Sequence, residues 1–185
     1  MRAAARILAS KGWAAFNTNA VATRAGVSIG SLYEYFPNKQ VIVDALLDRH
    51  LSQAEQIVAQ QRATAAALTD PQAIVATLVN GFIALHADDP KLHRVLASEV
   101  PLSPAIRKRV AALSEGVVAA TAAALHGHVR DPQLAARLLV DTADALTHRW
   151  IVEPHGSPVR AELLGRELIA MLTGYLAVAG VRGSC

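Results

Sequence analysis

The chain has 185 residues, 52% hydrophobic and only 4% aromatic, with a formal net charge of +3 at pH 7. That length suits one domain or two small ones with a substantial core, and alanine-rich sequence with few β-branched runs favours helices throughout. The only cysteine is Cys185, so no disulfide framework is available and a reducing, cytoplasmic setting is expected. No apolar run approaches a membrane span, and no secretory signal is visible. The charge is unevenly placed. Residues 1–50 hold six Lys and Arg against three Asp and Glu, whereas residues 51–185 hold twelve of each, so the whole surplus sits at one end.

The first predicted helix runs from about Arg2 to Lys11 and stops at Gly12. Ile7 and Leu8 face inward, and Trp13 and Phe16 are placed to cover a small helical head. The next stretch, Thr18 to Lys39, reads TNAVATRAGVSIGSLYEYFPNK. Thr18 is a good N-cap for a second helix whose Val21, Ala22 and Ala25 share one face. Gly26 supplies the left-handed backbone that a helix end commonly needs. Ser28 caps a short third helix with Leu32 and Phe36 inward at i and i+4, and Pro37 closes it. Its other face carries Ile29, Gly30, Ser31, Tyr33 and Glu34, with Tyr35 near the end. Small groups, hydroxyls and aromatics of this kind suit close approach to a phosphate backbone and base edges. The pattern is a helix-turn-helix, and its second helix is the reading element.

The run AGVSIGSLYEYFPNK resembles the DNA-binding signature of the tetracycline-repressor (TetR) family of bacterial regulators. The likeness is dense from Gly12 to about Leu47 and only architectural beyond. It implies that Ser28, Gly30, Ser31, Tyr33, Tyr35 and Lys39 hold the family's usual DNA-contacting positions, and Thr18 and Ile29 complete the candidate set. Val27, Leu32 and Phe36 are expected to hold the small domain together. Lys39 has a physical argument of its own. Asn38 reads as the N-cap of the fourth helix, which puts the Lys39 cation at the positive end of the helix dipole, an unfavourable place unless an anion such as a phosphate is near. Met1 to Ala9 reads as a helix already in progress, whereas relatives in the resembled family usually carry several more, often basic, residues ahead of it. The first helix is then either clipped or its start assigned late, which leaves a basic minor-groove arm unsupported.

Beyond the head, breakers divide the chain into further helices. The fourth starts near Lys39 and continues to about Gln61 on a stripe of Val43, Leu47, Leu51, Ala54 and Val58, as a lever between head and body. Asp70-Pro71 opens the fifth, with Val75, Leu78, Val79, Phe82 and Leu85 inward, ending at Asp88-Asp89-Pro90. A short sixth carries Leu92, Val95 and Leu96. Pro104 opens the seventh, to about Leu125, before Gly127. Asp131-Pro132 opens the eighth, to about Val152, before Pro154 and Gly156. The ninth follows Ser157-Pro158 and runs to about Ala179. The expected architecture is all-α with about nine helices: residues 1–47 as a three-helix DNA-binding head, and residues 48–185 as a helical effector-binding and dimerisation body.

The apolar faces of the last two helices are too wide for a single partner. Leu138, Leu146, Leu164, Leu168, Met171 and Tyr175 are candidates for a homodimer interface built as a four-helix bundle, an arrangement that the family resemblance also implies; an intrachain core would account for the same width. Leu78, Phe82, Leu85, His86, Leu96, Leu113, Val117 and Trp150 are candidate walls of the effector cavity that the resemblance implies, and their mostly apolar character suits a hydrophobic or aromatic small molecule. Among the histidines, His86 and His93 straddle the Asp88-Asp89-Pro90 break and could converge. Asp141, Asp144 and His148 share a helical face, open to a ligand or cation or simply solvated. No spacing is specific for a metal, no nucleophile has a nearby base and no cofactor is called for, so enzymatic activity has no support. The expected function is a dimeric, ligand-responsive transcriptional regulator, in this family usually a repressor, released from a palindromic double-stranded DNA operator by its effector. The alternative is a helical small-molecule-binding or scaffolding protein whose DNA binding is weakened by the clipped first helix.

Overall fold

Asp-Pro pairs set three of the helix starts. Asp70, Asp89 and Asp131 each stand just before a proline, and the carboxylate of each accepts from backbone amides of the first turn: Gln72 and Ala73, Leu92, and Leu134 respectively. Proline at the first helical position lacks the amide that would otherwise go unpaired there, and the aspartate satisfies the next ones. The computed structural model describes residues 1–65, 67–153 and 159–180. Among these it forms nine α-helices: α1 (Arg2–Ala15), α2 (Thr18–Ala25), α3 (Ile29–Tyr35), α4 (Lys39–Ala65), α5 (Pro71–Ala87), α6 (Pro90–Ser98), α7 (Pro104–Ala124), α8 (Pro132–Thr147) and α9 (Ala161–Ala179). The all-α architecture expected from the sequence is the one found. The only strand-like pairing among the described residues is an isolated bridge between Val129 and Gly180.

Several boundaries differ from expectation. α1 continues past Gly12 to Ala15, with Gly12 as a break inside it. α4 extends to Ala65. α8 ends at Thr147 and continues as a π-helical turn, His148–Val152, rather than as α-helix. The breakers Pro154 and Gly156, and the Ser157-Pro158 start, lie outside the described residues.

The chain forms two compact units. The first comprises Met1–Gln53 together with Asp89–Val110; the second comprises Ala54–Asp88 and Ala111–Cys185. The sequence division at 47/48 put α6 with the body, but α6 packs along α1, so the Asp89–Val110 segment belongs to the head's unit. This changes the charge count. The first unit carries eleven Lys and Arg against five Asp and Glu, a surplus of +6, and the second seven against ten, or −3.

In the first unit, Phe16 is buried, as are Ala4, Ile7 and Leu8 of α1, Val21 and Ala22 of α2, Leu32 of α3, Ile42, Val43 and Leu46 of α4, and Val95 and Leu96 of α6. Four ties fasten the Asp89–Val110 segment to the rest of this unit. The Glu99 carboxylate accepts from the Trp13 amide at 3.0 Å, Gln40 donates to the Pro101 carbonyl at 3.1 Å, His50 and His93 share a hydrogen bond of 3.0 Å, and Arg109 pairs with Asp48 and donates to the Ser52 hydroxyl. The second unit has its own core of Ile74, Val75, Val79, Val118, Leu125, Leu139 and Ala143, closed by Leu164, Leu168, Leu172 and Leu176 of α9.

Gly12 has φ +71° and ψ 177°, a conformation reserved for glycine, and a Cβ built there would lie 2.6 Å from a Glu99 carboxylate oxygen. Gly12→Ala should therefore lower unfolding free energy by about 1–3 kcal/mol. A urea titration of the variant checks this, and an unchanged midpoint would count against the strained break.

Candidate nucleic-acid interface

The site is built on α3, seven residues long and too short to hold itself together as an isolated helix. The turn before it is locked. Gly26 has φ +72° and ψ 30°, and the Val27 amide donates back to the Ala22 carbonyl at 3.1 Å, closing α2 with a reversed hydrogen bond around a left-handed residue. Ser28 then caps α3: its Oγ accepts from the Ser31 amide at 3.0 Å and lies 2.9 Å from the Ser31 hydroxyl. Leu32 is buried and anchors the helix from below.

The opposite side of α3 is open. Ser28, Ile29, Gly30, Ser31, Tyr33 and Tyr35 are all exposed, Tyr35 by 75% and Tyr33 by 48%. Large aromatic rings left outside while a neighbouring leucine is buried show that this face is not packed within the unit. Gly30 keeps the middle of that surface flat. The Tyr33 hydroxyl lies 3.1 Å from the Thr18 hydroxyl, which ties the reading helix to the start of α2. All eight residues of the sequence-derived set therefore belong to the first unit, with Thr18 and Tyr33 in direct contact.

Two details correct the expectation and a third adds to it. The cap of α2 is Asn17, whose side chain accepts from the Ala20 amide at 2.8 Å; Thr18 is the first helical residue, and its hydroxyl is used by Tyr33 instead. Asn17, Thr18 and Asn19 are near-equivalent caps in the sequence, so register had to come from packing. Val27 is exposed and does not hold the domain together, because the turn that it completes projects it outward; Leu32 is buried and Phe36 half-buried. Lys39 is not simply solvated. Its ammonium stands 4.0 Å from the centre of the Trp13 ring and donates to the Trp13 carbonyl at 3.4 Å. Asn38 does cap α4, accepting from the Val41 amide at 3.1 Å. Trp13 is thus a part of this site that the sequence offered only as cover for the head. Nothing in the local pattern marks a contact spanning 26 positions.

In the second unit, His86 is buried at the end of α5. It hydrogen-bonds the Phe82 carbonyl at 2.7 Å, lies 3.6 Å from Asp144, and meets the His148 ring edge-on. Burial holds its imidazole below the usual histidine range, against the opposing pull of the Phe82 carbonyl and the Asp144 charge. Asp144 and His148 therefore converge on His86, while Asp141 stands apart on the exposed face. His93 shares a hydrogen bond with His50 within the first unit. Of the candidate ligand walls, Leu78 is core, Phe82, Leu85, Leu113 and Val117 are half-buried, and Trp150 is exposed on the π-helical turn. Leu96 is buried within the first unit. Among the described residues no three His, Cys, Asp or Glu side chains are grouped to hold a metal ion, and no helix is long and apolar enough to cross a membrane.

A capped helix-turn-helix in a basic unit, joined to a helical second unit, defines the class of helix-turn-helix transcription factors. Two family models match the chain: residues 1–46 match the bacterial regulatory proteins of the tetR family, and residues 70–176 match the tetracyclin repressor-like C-terminal domain. The chain belongs to the tetracycline-repressor family, whose members are DNA-binding, ligand-responsive transcriptional regulators and not enzymes. A comparison with curated proteins by sequence gives no match. Among solved structures it is similar to the fatty acid degradation regulator FadR from Bacillus halodurans, at 23% identity over 94% of this chain and 92% of that one, with a TM-score of 0.69. FadR from Bacillus subtilis in complex with stearoyl-CoA is 18% identical over 92% and 94%, with a TM-score of 0.67. The ketosteroid transcriptional regulator KstR2 of Mycobacterium tuberculosis is 22% identical over 98% and 93%, with a TM-score of 0.65. At these identities the likeness shows the shared fold.

If the open face of α3 reads DNA, Tyr33→Ala and Lys39→Ala should each weaken binding by about 1–3 kcal/mol with the helical circular dichroism intact. Lys39→Ala should also flatten the dependence of log K on log salt by about 0.9 for each phosphate that it no longer neutralises. Affinities and salt slopes unchanged in both variants would put the contacts elsewhere.

Proposed function

We propose that this regulator is a homodimeric repressor, held on a palindromic operator by its two α3 helices and released by a small hydrophobic or aromatic effector. The observation that carries the DNA half is the exposed Tyr33 and Tyr35 face on a helix capped at its start and anchored from beneath, in a unit with a surplus of +6. Thr18, Ser28, Ile29, Gly30, Ser31, Tyr33, Tyr35 and Lys39 make up the proposed contact set.

The dimer half rests on what α8 and α9 leave outside. Leu164 and Leu168, candidates for the interface on sequence grounds, are buried in the second unit's own core, because that face of α9 packs against α5. Leu146 and Tyr175 pack against the same core. Leu138 and Met171 remain exposed, and with them Leu134, Leu163 and Val178. On α9, Leu163, Ala170, Met171, Gly174 and Val178 recur at helical spacing, and the small residues among them permit close approach of a second helix. A self-complementary patch of this kind suits a two-fold interface, which would set two reading helices about 34 Å apart.

The effector half is supported by the C-terminal domain match and by the second unit's half-buried Phe82, Leu85, Leu113 and Val117 beside Leu78 and the buried His86. The Thr147 hydroxyl, fully buried and without a hydrogen-bond partner among the described residues, adds a polar group that a ligand could satisfy. FadR from Bacillus subtilis was solved with stearoyl-CoA, which joins a long apolar chain to a charged head, and KstR2 is a ketosteroid regulator; an apolar ligand portion is consistent with both.

Selection of duplexes from a random pool should return a palindrome with half-site centres about one helical turn apart. A thermal-shift screen of apolar acids, acyl thioesters and steroids should then yield stabilising compounds that weaken binding to that duplex, with a coupling of about 1–3 kcal/mol. Stabilising compounds that leave DNA affinity untouched would remove the effector reading. For the dimer, Met171→Glu should give folded monomers by light scattering, whereas Leu168→Glu should unfold the second unit, its site being only 2% exposed. A folded Met171→Glu dimer would sink the α8/α9 interface.

A further inference from the structure

We infer that Glu99 is a positioning residue for the DNA contact of Lys39, acting through Trp13. The inference rests on the reading of Lys39 as a phosphate contact and adds a residue from the Asp89–Val110 segment that the helix-turn-helix signature does not include.

Trp13 stands between two charged side chains. Its amide is released from the helical ladder by the break at Gly12, and the Glu99 carboxylate takes that proton at 3.0 Å. Its carbonyl and ring take the other charge, the Lys39 ammonium, at 3.4 Å and 4.0 Å. The ring stacks on Phe16, which is only 1% exposed, so it cannot swing away without disturbing the core of the unit. Gly12 is what lets the carboxylate in, since any Cβ there would collide with it. Glu99 itself is fixed as the C-cap of α6, with its own amide bonded to the Val95 carbonyl.

The Lys39 ammonium has three N–H donors. The Trp13 carbonyl takes one and the ring covers one face, which leaves donors for a phosphate. A lysine already held in place loses less freedom on binding than one swinging in solvent, so the cradle favours the contact. Withdrawing Glu99 from Trp13 frees the peptide at the Gly12 break and loosens the cradle. The Asp89–Val110 segment is bounded on both sides by chain of the second unit.

The test uses the full-length protein and the duplex it selects from a random pool, with log K measured against log salt. Glu99→Ala should weaken binding about three- to tenfold at low salt, and should flatten the salt slope in the same direction as Lys39→Ala. In a Lys39→Ala background the same change should have no further effect on the slope. Glu99→Gln keeps an oxygen acceptor for the Trp13 amide and should retain the slope of the unmutated chain. Trp13→Leu, with the ring face gone, should reproduce the Glu99→Ala result. An unchanged slope in Glu99→Ala, or an equal loss with and without Lys39, overturns the inference. If Glu99→Ala does not fold, a folded Trp13→Leu with an unaltered slope overturns it as well. A chain that selects no duplex at all defeats the DNA reading first. One that selects a duplex but shows no slope change in Lys39→Ala defeats only the Glu99 inference.

Discussion

The turn at Gly26 and the cap at Ser28 govern what the first unit can present. A helix as short as α3 gains little from its own hydrogen bonds, so its orientation has to be imposed from outside. The left-handed Gly26 lets the Val27 amide reach back to Ala22, which ends α2 sharply and fixes the exit direction of the chain. Two residues later the Ser28 hydroxyl satisfies the Ser31 amide and starts α3 without slack. Leu32 then needs to be the only fully buried side chain on α3, and everything else on the helix is free to face outward. Exposure of Tyr33 and Tyr35 is thus a consequence of how few anchors the helix requires.

That economy explains why the site was legible in sequence. Capping, left-handed glycine and i, i+4 anchors are local effects, encoded within a few residues, and the Ser28, Gly26 and Leu32 readings needed no tertiary information. The helix starts at Pro71, Pro104 and Pro132 were equally visible, because proline and a preceding aspartate or serine act within one turn. What failed to show was set by competition between near-equals or by distance. Asn17 and Thr18 differ little as caps. The Lys39–Trp13 and Glu99–Trp13 contacts span 26 and 86 positions, and neither residue's neighbours betray them. On α9, a face two helices wide did not say which residues face which partner. Leu164 and Leu168 went to the intrachain core, and Met171 stayed outside.

The Asp89–Val110 segment is the largest departure from a linear reading. Cut at residue 50, the chain looks like a head of +3 on a neutral body. Assigned by packing, the first unit gains Lys91, Arg94, Arg107, Lys108 and Arg109 against Asp89 and Glu99, and the charges of the two units become opposite in sign. Exposed charge of this size acts over roughly a Debye length, about 8 Å at physiological salt, and raises the rate of encounter with a polyanion without specifying sequence. On the proposed reading, discrimination falls to the face of α3, whose hydroxyls and rings suit base edges and shape.

The same segment bears on how binding can be regulated. Any ligand alters DNA affinity only to the extent that it binds one arrangement of the protein better than another, so some element must differ between arrangements. Helix interiors are poor candidates, since the buried residues of α5, α8 and α9 sit in a close-packed core with few degrees of freedom. Asp89–Val110 is different in kind. It leaves and re-enters the second unit at Asp88 and Ala111, yet it is fastened within the first by a carboxylate–amide bond, an amide–carbonyl bond, a histidine pair and an arginine–aspartate pair. Polar ties depend steeply on direction. A displacement too small to unpack Val95 and Leu96 can therefore still cost one of these bonds. The tie at Glu99 is the one that ends, through Trp13, on a cation at the start of α4.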